Sequence, residues 1–225
     1  MLTPFDWQEA IGHRAQFVEA RLESGSPVLA ASLNEGVLML TYRRQARKIY
    51  EIYDRLAYGA IGQQSDVENL RMGAIEFAHM EGYNRSTRDV TIQRVVTALS
   101  SPLKKTFSDF SSAPVVARSF FAQVCESIPG DRYYIVDYDG DYQERTHYGF
   151  VAGSNHGAER INKQMKALRF RQMGVEEARE ALRNAWALGM EDGERSVKEL
   201  TRGLTEEVVL LERNPKGANR FRIEF

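Results

Sequence analysis

Two residues early in this chain could do chemistry together: a hydroxyl and an amine. Ser26 follows Gly25 at the mouth of the apolar stretch "GSPVLAASLNEGVLMLTYRR", and Lys48 lies just beyond its basic exit. A serine attacks a carbonyl only when a base takes its proton, and a desolvated lysine can be such a base. Two features oppose that use. A well-formed amphipathic helix precedes Ser26, and Pro27 follows it, fixing the local backbone and removing an amide donor.

Other groups are weaker candidates. His13, His79, His147 and His156 have no mutual ligand spacing. Glu76-Phe77-Ala78-His79 is half of a di-iron helix motif, which needs a second copy. Neither a P-loop nor a GxGxxG run is present, so no metal or other cofactor is expected. Ser101-Pro102-Leu103-Lys104 fits the Ser-x-x-Lys pattern of serine acylases without its companion motifs. Ser154, His147 and Asp137 are the right types for a triad, with no support from spacing. Cys125 ends an apolar strand, where a small buried hydrophobe is its plain role.

The elements that must hold these residues read as follows. Thr3-Pro4-Phe5-Asp6 is a capping box with proline at the first helical position. Trp7, Ile11, Ala15, Val18 and Leu22 then recur on one helix face. Pro27–Leu33 and Val37–Tyr42 form a hairpin across Asn34-Glu35-Gly36. With Lys48–Tyr53 and Leu56–Ile61 they predict a four-stranded antiparallel meander. Ser65–Glu68 and Ser86–Asp89 predict two capped helices, separated by a break at Gly82-Tyr83-Asn84. Strands are expected at Val115–Val124, Tyr133–Tyr138 and Arg145–Ala152, the last two joined by a turn at Asp139-Gly140. Helices follow from Gly153-Ser154-Asn155 to about Phe170, from Val175 to Leu188 and over Val197–Leu200. A strand at Glu207–Leu211 and a basic, irregular tail close the chain. Two runs of strands, each followed by helices, predict an α+β fold with two antiparallel sheets face to face and helices outside.

Composition narrows the function classes. The 225 residues, 43% of them hydrophobic, suit one ordinary domain with a sizeable core. A net charge of −1 leaves no electrostatic footprint for nucleic acid or an anionic membrane. One cysteine makes no internal disulfide, and the opening "MLTPFDWQEA" lacks the pattern of a signal peptide. No apolar run approaches the roughly 20 residues of a membrane helix. A cytoplasmic protein is expected.

The stretch Lys48–Thr91, "KIYEIYDRLAYGAIGQQSDVENLRMGAIEFAHMEGYNRSTRDVT", resembles bacterial α-type proteasome subunits of the actinobacterial kind. The matching pieces are Lys48-Ile49, Ile52-Tyr53-Asp54-Arg55, Asp66-x-Glu68-Asn69-Leu70-Arg71, Phe77-Ala78, Gly82-Tyr83 and Arg88-Asp89-Val90-Thr91. The ending "EEVVLLERNPKGANRFRIEF" is also similar. The resemblance runs from about Asp6 to the C-terminus and is loose from Ser100 to Gly203. It implies the four-layered αββα sandwich of the N-terminal nucleophile hydrolases in a single domain, 1–225. That domain comprises an extra helical region (1–24), the core (25–213) and a tail (214–225).

Catalytic β-type relatives begin at a threonine freed by cleavage. Aligned on this chain, that nucleophile falls at Ser26, its carboxylate partner at Tyr42 and the lysine at Lys48. The remaining Asp and Ser have no clear counterpart near Asp192–Ser196. The resemblance therefore implies a non-catalytic subunit of a threonine-type endopeptidase complex, with Ser26 a relic. The subunit forms a ring of seven that caps a β-type ring. It also implies that Lys48, Gly62 and Gln63 form the pocket for the C-terminal tail of an ATP-dependent unfoldase. Thr3, Pro4 and Asp6 stand where relatives have their gate turn. A self-processing serine hydrolase using Ser26 and Lys48, and a stand-alone proteasome-like ring, are the alternatives.

Overall fold

The structure, a computed structural model of the 225-residue chain, describes residues 3–190 and 196–224. Its elements, in chain order, open with helix α1 (Pro4–Leu22) and strands β1 (Val28–Ser32), β2 (Gly36–Arg43), β3 (Ile49–Tyr53) and β4 (Leu56–Gly62). Helices α2 (Gln64–Asn84) and α3 (Ile92–Ser108) follow, then β5 (Ala117–Gln123), β6 (Arg132–Val136), β7 (Tyr142–Arg145) and β8 (Tyr148–Val151). Helices α4 (Asn155–Ala167), α5 (Val175–Met190) and α6 (Val197–Leu200) lead to β9 (Thr205–Glu212) and β10 (Phe221–Glu224).

The strands form two five-stranded antiparallel sheets, ordered β10-β9-β2-β1-β8 and β3-β4-β5-β6-β7. Their polarity pattern follows from burial on both faces. In β2, Val37 and Met39 join the layer between the sheets, while Leu38 and Leu40 join the layer beneath α4 and α5. A strand covered on both sides has no face to give to water, so it reads as a continuous apolar run. Tyr58, Ala60, Phe121 and Tyr134 of the second sheet meet Val67, Ala74, Ala78, Val95 and Val96 of α2 and α3. Helix pair, sheet, sheet, helix pair is the expected αββα sandwich.

Helix α1 begins with its predicted capping box. Asp6 N donates to Thr3 Oγ1 at 3.2 Å, and Thr3 N donates to the Asp6 carboxylate at 2.8 Å. The inward stripe holds from Ile11 onward, with Ile11 and Ala15 half-buried against the inter-sheet layer, and fails only at Trp7. Val18 and Leu22 are fully buried in the inter-sheet layer, whereas Trp7 stays exposed and sits edge-on to Phe110 at 4.8 Å. Arg118 ties this helix to both sheets, bonding Glu19 at 2.7 Å, Asp137 at 3.0 Å and the Ala152 carbonyl at 3.1 Å.

Several expectations are corrected. The first four strands are not one meander: β1 and β2 lie in one sheet, β3 and β4 in the other, and the link at 44–48 crosses between layers. Apolar runs buried on both faces look alike whether the next strand pairs beside them or packs across from them. Arg145–Ala152 is two strands in different sheets, turned at His147 with φ 72°. Asp139-Gly140 joins β6 to β7. Helix α2 starts earlier than Ser65, and the Asp66 carboxylate accepts from Val116 N at 2.8 Å rather than closing a capping box. It runs through Gly82 and Tyr83. Ser86 donates to Asp89 at 2.8 Å in a turn, and α3 starts only at Ile92. The tail forms strand β10 on the edge of the first sheet.

The sheets are also joined by charge. Arg213, just past β9, bonds both oxygens of the fully buried Asp131 at 2.8 Å and the Leu33 carbonyl at 2.9 Å. Removing one member of a buried pair strands the other. Arg213→Ala is expected to cost about 3–5 kcal/mol in urea unfolding. A loss below about 1 kcal/mol, the worth of an exposed pair, would show that water reaches Asp131.

Candidate functional site

Ser26 stands at the entrance to β1, and its neighbours are fixed by the hairpin and by α5. Its hydroxyl donates to the Tyr42 carbonyl at 2.6 Å and accepts from the Trp186 indole N–H at 3.1 Å. Trp186 is fully buried and packs on the Tyr42 ring at 4.4 Å. The proton of Ser26 therefore points at a backbone oxygen, which cannot serve as a base. The backbone nitrogen of Ser26 is an ordinary amide joined to Gly25.

Lys48 reaches the same place from the crossing between sheets. Its ammonium donates to the Ser26 carbonyl at 2.8 Å, leaving two of three donors for another partner. Lys48 is half-buried, and desolvation pulls its pKa down to about 8 against a smaller upward pull from Glu207. The hydroxyl and the amine are thus neighbours, as expected, but the amine meets the carbonyl of Ser26 rather than its Oγ.

Two glutamates that sequence reasoning missed organise the surroundings. Glu206 and Glu207 are consecutive on β9, so their side chains leave opposite faces of the sheet. Glu206 points to the helix layer. It accepts from Tyr42 Oη at 3.2 Å, Arg179 at 2.6 Å and Arg183 at 2.9 Å. Burial pushes its pKa up, but the two guanidiniums outweigh burial and hold it at about 2. Desolvation, with the Glu206 charge, raises Tyr42 to about 12, so the phenol stays neutral.

Glu207 points between the sheets and is almost fully buried. It takes Lys48 N at 2.9 Å and Ile49 N at 3.4 Å, with Arg47 at 3.2 Å and Arg43 at 3.5 Å. A carboxylate therefore does serve Lys48, through its field and through the backbone, from a strand near the other end of the chain. The only signal was the doubled Glu opening an apolar run, "TEEVVLLE".

Gly62 ends β4 at the same end of the second sheet as Lys48, which precedes the residue paired with Gly59. Gly62 has φ +134°, and a Cβ there would sit 2.1 Å from the Val116 carbonyl. Its glycine identity thus has a backbone cause. Gln63 caps α2 through its carbonyl, which accepts from Val67 N at 3.0 Å, while its own N–H donates to the Val116 carbonyl at 2.7 Å, and its side chain is exposed. Thr3, Pro4 and Asp6 open the far end of α1, about 28 Å along the helix axis from Leu22. The structure keeps them apart from Lys48.

The minor candidates separate. Ser154 caps α4 by accepting from Gly157 N at 3.0 Å, His147 contacts Thr146 and Arg171, and Asp137 holds Arg118, so no triad forms. Ser101 and Lys104 are exposed on α3. Burial raises the Cys125 thiol pKa. His79 and Glu76 are exposed on α2, with the His79 ring edge-on to Tyr53. Asp192 lies outside the described residues, and Ser196 caps α6.

Because Lys48 titrates near pH 8 when folded and near 10.5 otherwise, the unfolded chain holds an extra proton between those values. This group's contribution to stability therefore rises with pH across that window. Nitrogen-detected NMR of labelled lysine should place its midpoint near pH 8, and a normal lysine midpoint would contradict the burial.

The proteasome subunit family profile matches residues 22–203. The "Proteasome subunit alpha" of Thermobifida fusca is 31% identical over 210 residues, 92% of this chain and 80% of that protein. Its namesake in Acidothermus cellulolyticus is 31% identical over 170 residues, 74% of this chain and 71% of that one. The one in Nocardioides sp. is 29% identical over 149 residues, 65% of this chain and 58% of its own length, so the chain spans less than two thirds of that relative. The matched segment takes in strands β1 to β8, helices α2 to α6 and the Ser26–Lys48 neighbourhood, and the chain belongs to the proteasome subunit family as a bacterial α-type member of the actinobacterial kind.

Proposed function

We propose that this chain is the non-catalytic α-type subunit of a cytoplasmic bacterial proteasome core particle. Seven copies form a ring that caps a ring of β-type subunits, restricts the entry of unfolded substrate and receives the C-terminal tails of an ATP-dependent unfoldase. The observation that carries the non-catalytic reading is the bonding of Ser26. Its hydroxyl is committed to the Tyr42 carbonyl and the Trp186 indole, and the neighbouring Lys48 amine bonds its carbonyl rather than its Oγ, behind a helix that runs unbroken to Leu22. Tyr42, neutral and tied to Glu206, cannot supply the carboxylate of the catalytic relatives.

The docking reading rests on Lys48. A half-buried ammonium with one backbone acceptor gains from a carboxylate that reaches it, and such charge-assisted contacts are strong. Gly62 and Gln63, at the same end of the sheet, line the approach, and Gln63 offers an exposed amide to a tail. Thr3, Pro4 and Asp6 shape the chain's entry into α1 and thereby a short gate. No helix among the described residues is long and apolar enough to cross a membrane.

Native mass spectrometry, with and without a candidate β-type partner, should show rings of uncut chains and their stack on the partner. A monomer indifferent to the partner would sink the reading. A chain beginning at Ser26 would restore the self-processing hydrolase, and a ring that ignores the β-type partner would favour a stand-alone assembly. Lys48→Ala should leave the ring intact and weaken binding of an unfoldase tail peptide about tenfold or more. Wild-type binding should itself fall as pH rises through 8, where Lys48 loses its charge.

A further inference from the structure

A second concave site lies at the opposite end of the first sheet from Ser26. It encloses about 390 Å³ between the β7–β8 corner and the segment following α4. Its floor includes Ser32, whose buried hydroxyl is paired with Tyr133 Oη at 2.7 Å. Tyr148, Leu168 and Phe170 give it apolar walls, and among the described residues the lining contains Lys166, Arg169 and Arg171 without an Asp or Glu.

The three cations stand out because the chain as a whole carries a net charge of −1. Many of its arginines find carboxylates, as Arg132, Arg179 and Arg183 do, but among the described residues none of these three cations is in an ion pair. Lys166 has a structural explanation, since it sits in the last turn of α4 and complements the helix dipole there. Arg169 and Arg171 lie beyond the helix and have no such role.

Arg171 is also held in place without being neutralised. Its guanidinium donates to His147 Nε2 at 2.8 Å, and its carbonyl accepts from Asn34 Nδ2 at 3.2 Å. A guanidinium has no acceptor, so the imidazole nitrogen accepts this bond, and an imidazole has no negative charge with which to offset the arginine. His147 in turn is the one non-glycine residue with positive φ among the described residues, a conformation that costs energy and is retained only where its surroundings impose it.

We propose that this pocket binds a small organic anion, a phosphate or carboxylate group on a flat apolar body. Arg169 and Arg171 take the anionic group, because a planar fork of donors matches both oxyanions. Tyr148 and Phe170 receive the body, in a pocket of the size that suits a small ligand. This site is separate from Lys48 and does not depend on the docking reading.

Isothermal titration calorimetry of the purified chain in low salt tests it, with phenyl phosphate, benzoate and inorganic phosphate as probes. At least one aromatic anion should bind about tenfold more tightly than inorganic phosphate, since only it fills the apolar wall. Preference for phenyl phosphate would mark a phosphate ester as the ligand class, and preference for benzoate a carboxylate. The paired variant Arg169→Gln and Arg171→Gln should weaken binding about tenfold or more with an unchanged melting temperature. If that variant melts early, the pair Arg169→Lys and Arg171→Lys keeps the charge but loses the planar fork, and should weaken aromatic-anion binding about threefold or more while its salt dependence persists; binding equal to the parent would overturn the proposal. No heat with either aromatic probe, equal affinity in the glutamine variant, or inorganic phosphate binding as tightly as phenyl phosphate would overturn the proposal.

Discussion

Glu207 is the group on which the rest of this structure depends. A carboxylate this deeply buried is tolerable only when it is fully hydrogen-bonded and paired. It meets that demand by taking two backbone amides and two arginines from the segment that carries the chain from one sheet to the other. The crossing is thereby held at one conformation, β3 starts in register against β4, and the Lys48 side chain enters between the layers. Arg213 and Asp131 do the corresponding work elsewhere between the sheets. Apolar burial between the sheets is non-directional and would tolerate sliding; these two charged joints remove that freedom.

With the crossing held, the Ser26 neighbourhood becomes a structural joint. The hydroxyl closes a gap between β2 and Trp186, the lysine braces the carbonyl at the entrance to β1, and Tyr42 belongs to the Glu206 cluster under α5. Each polar atom that could have taken part in acyl chemistry has an assigned partner with a different purpose. The lysine alone retains spare donors and a depressed pKa, which is the physical basis for giving it a binding role instead.

Much of this was legible beforehand. The capping box at Thr3–Asp6, the β1–β2 hairpin and the helix beginning at Val175 are local patterns, set by hydrogen bonds and periodicity within a few residues. The less legible parts have identifiable causes. The capping pattern at Ser65–Glu68 failed because the Asp66 carboxylate found a better partner in Val116 N, fifty residues on. The break expected at Gly82 failed because that glycine lies against Tyr53, which leaves no room for a side chain and no reason to end the helix. Strand β10 was invisible because an edge strand of four residues, half of it charged, is recognised only by the neighbour it pairs with.

By itself, then, the order of residues determined most of the elements, the two-run arrangement of strands and helices, the lysine at position 48 and the absence of a carboxylate at position 42, because these depend on residue type and short-range spacing. Tertiary structure alone decided which strands share a sheet, that Glu206 and Glu207 serve opposite faces, and that Lys48 meets the Ser26 carbonyl rather than its hydroxyl. It also gathered Arg169 and Arg171 around a pocket with no acid among its described lining residues. The physical reason is the same in each case: such contacts join residues far apart in the chain, and only packing both faces of both sheets brings them within hydrogen-bonding reach.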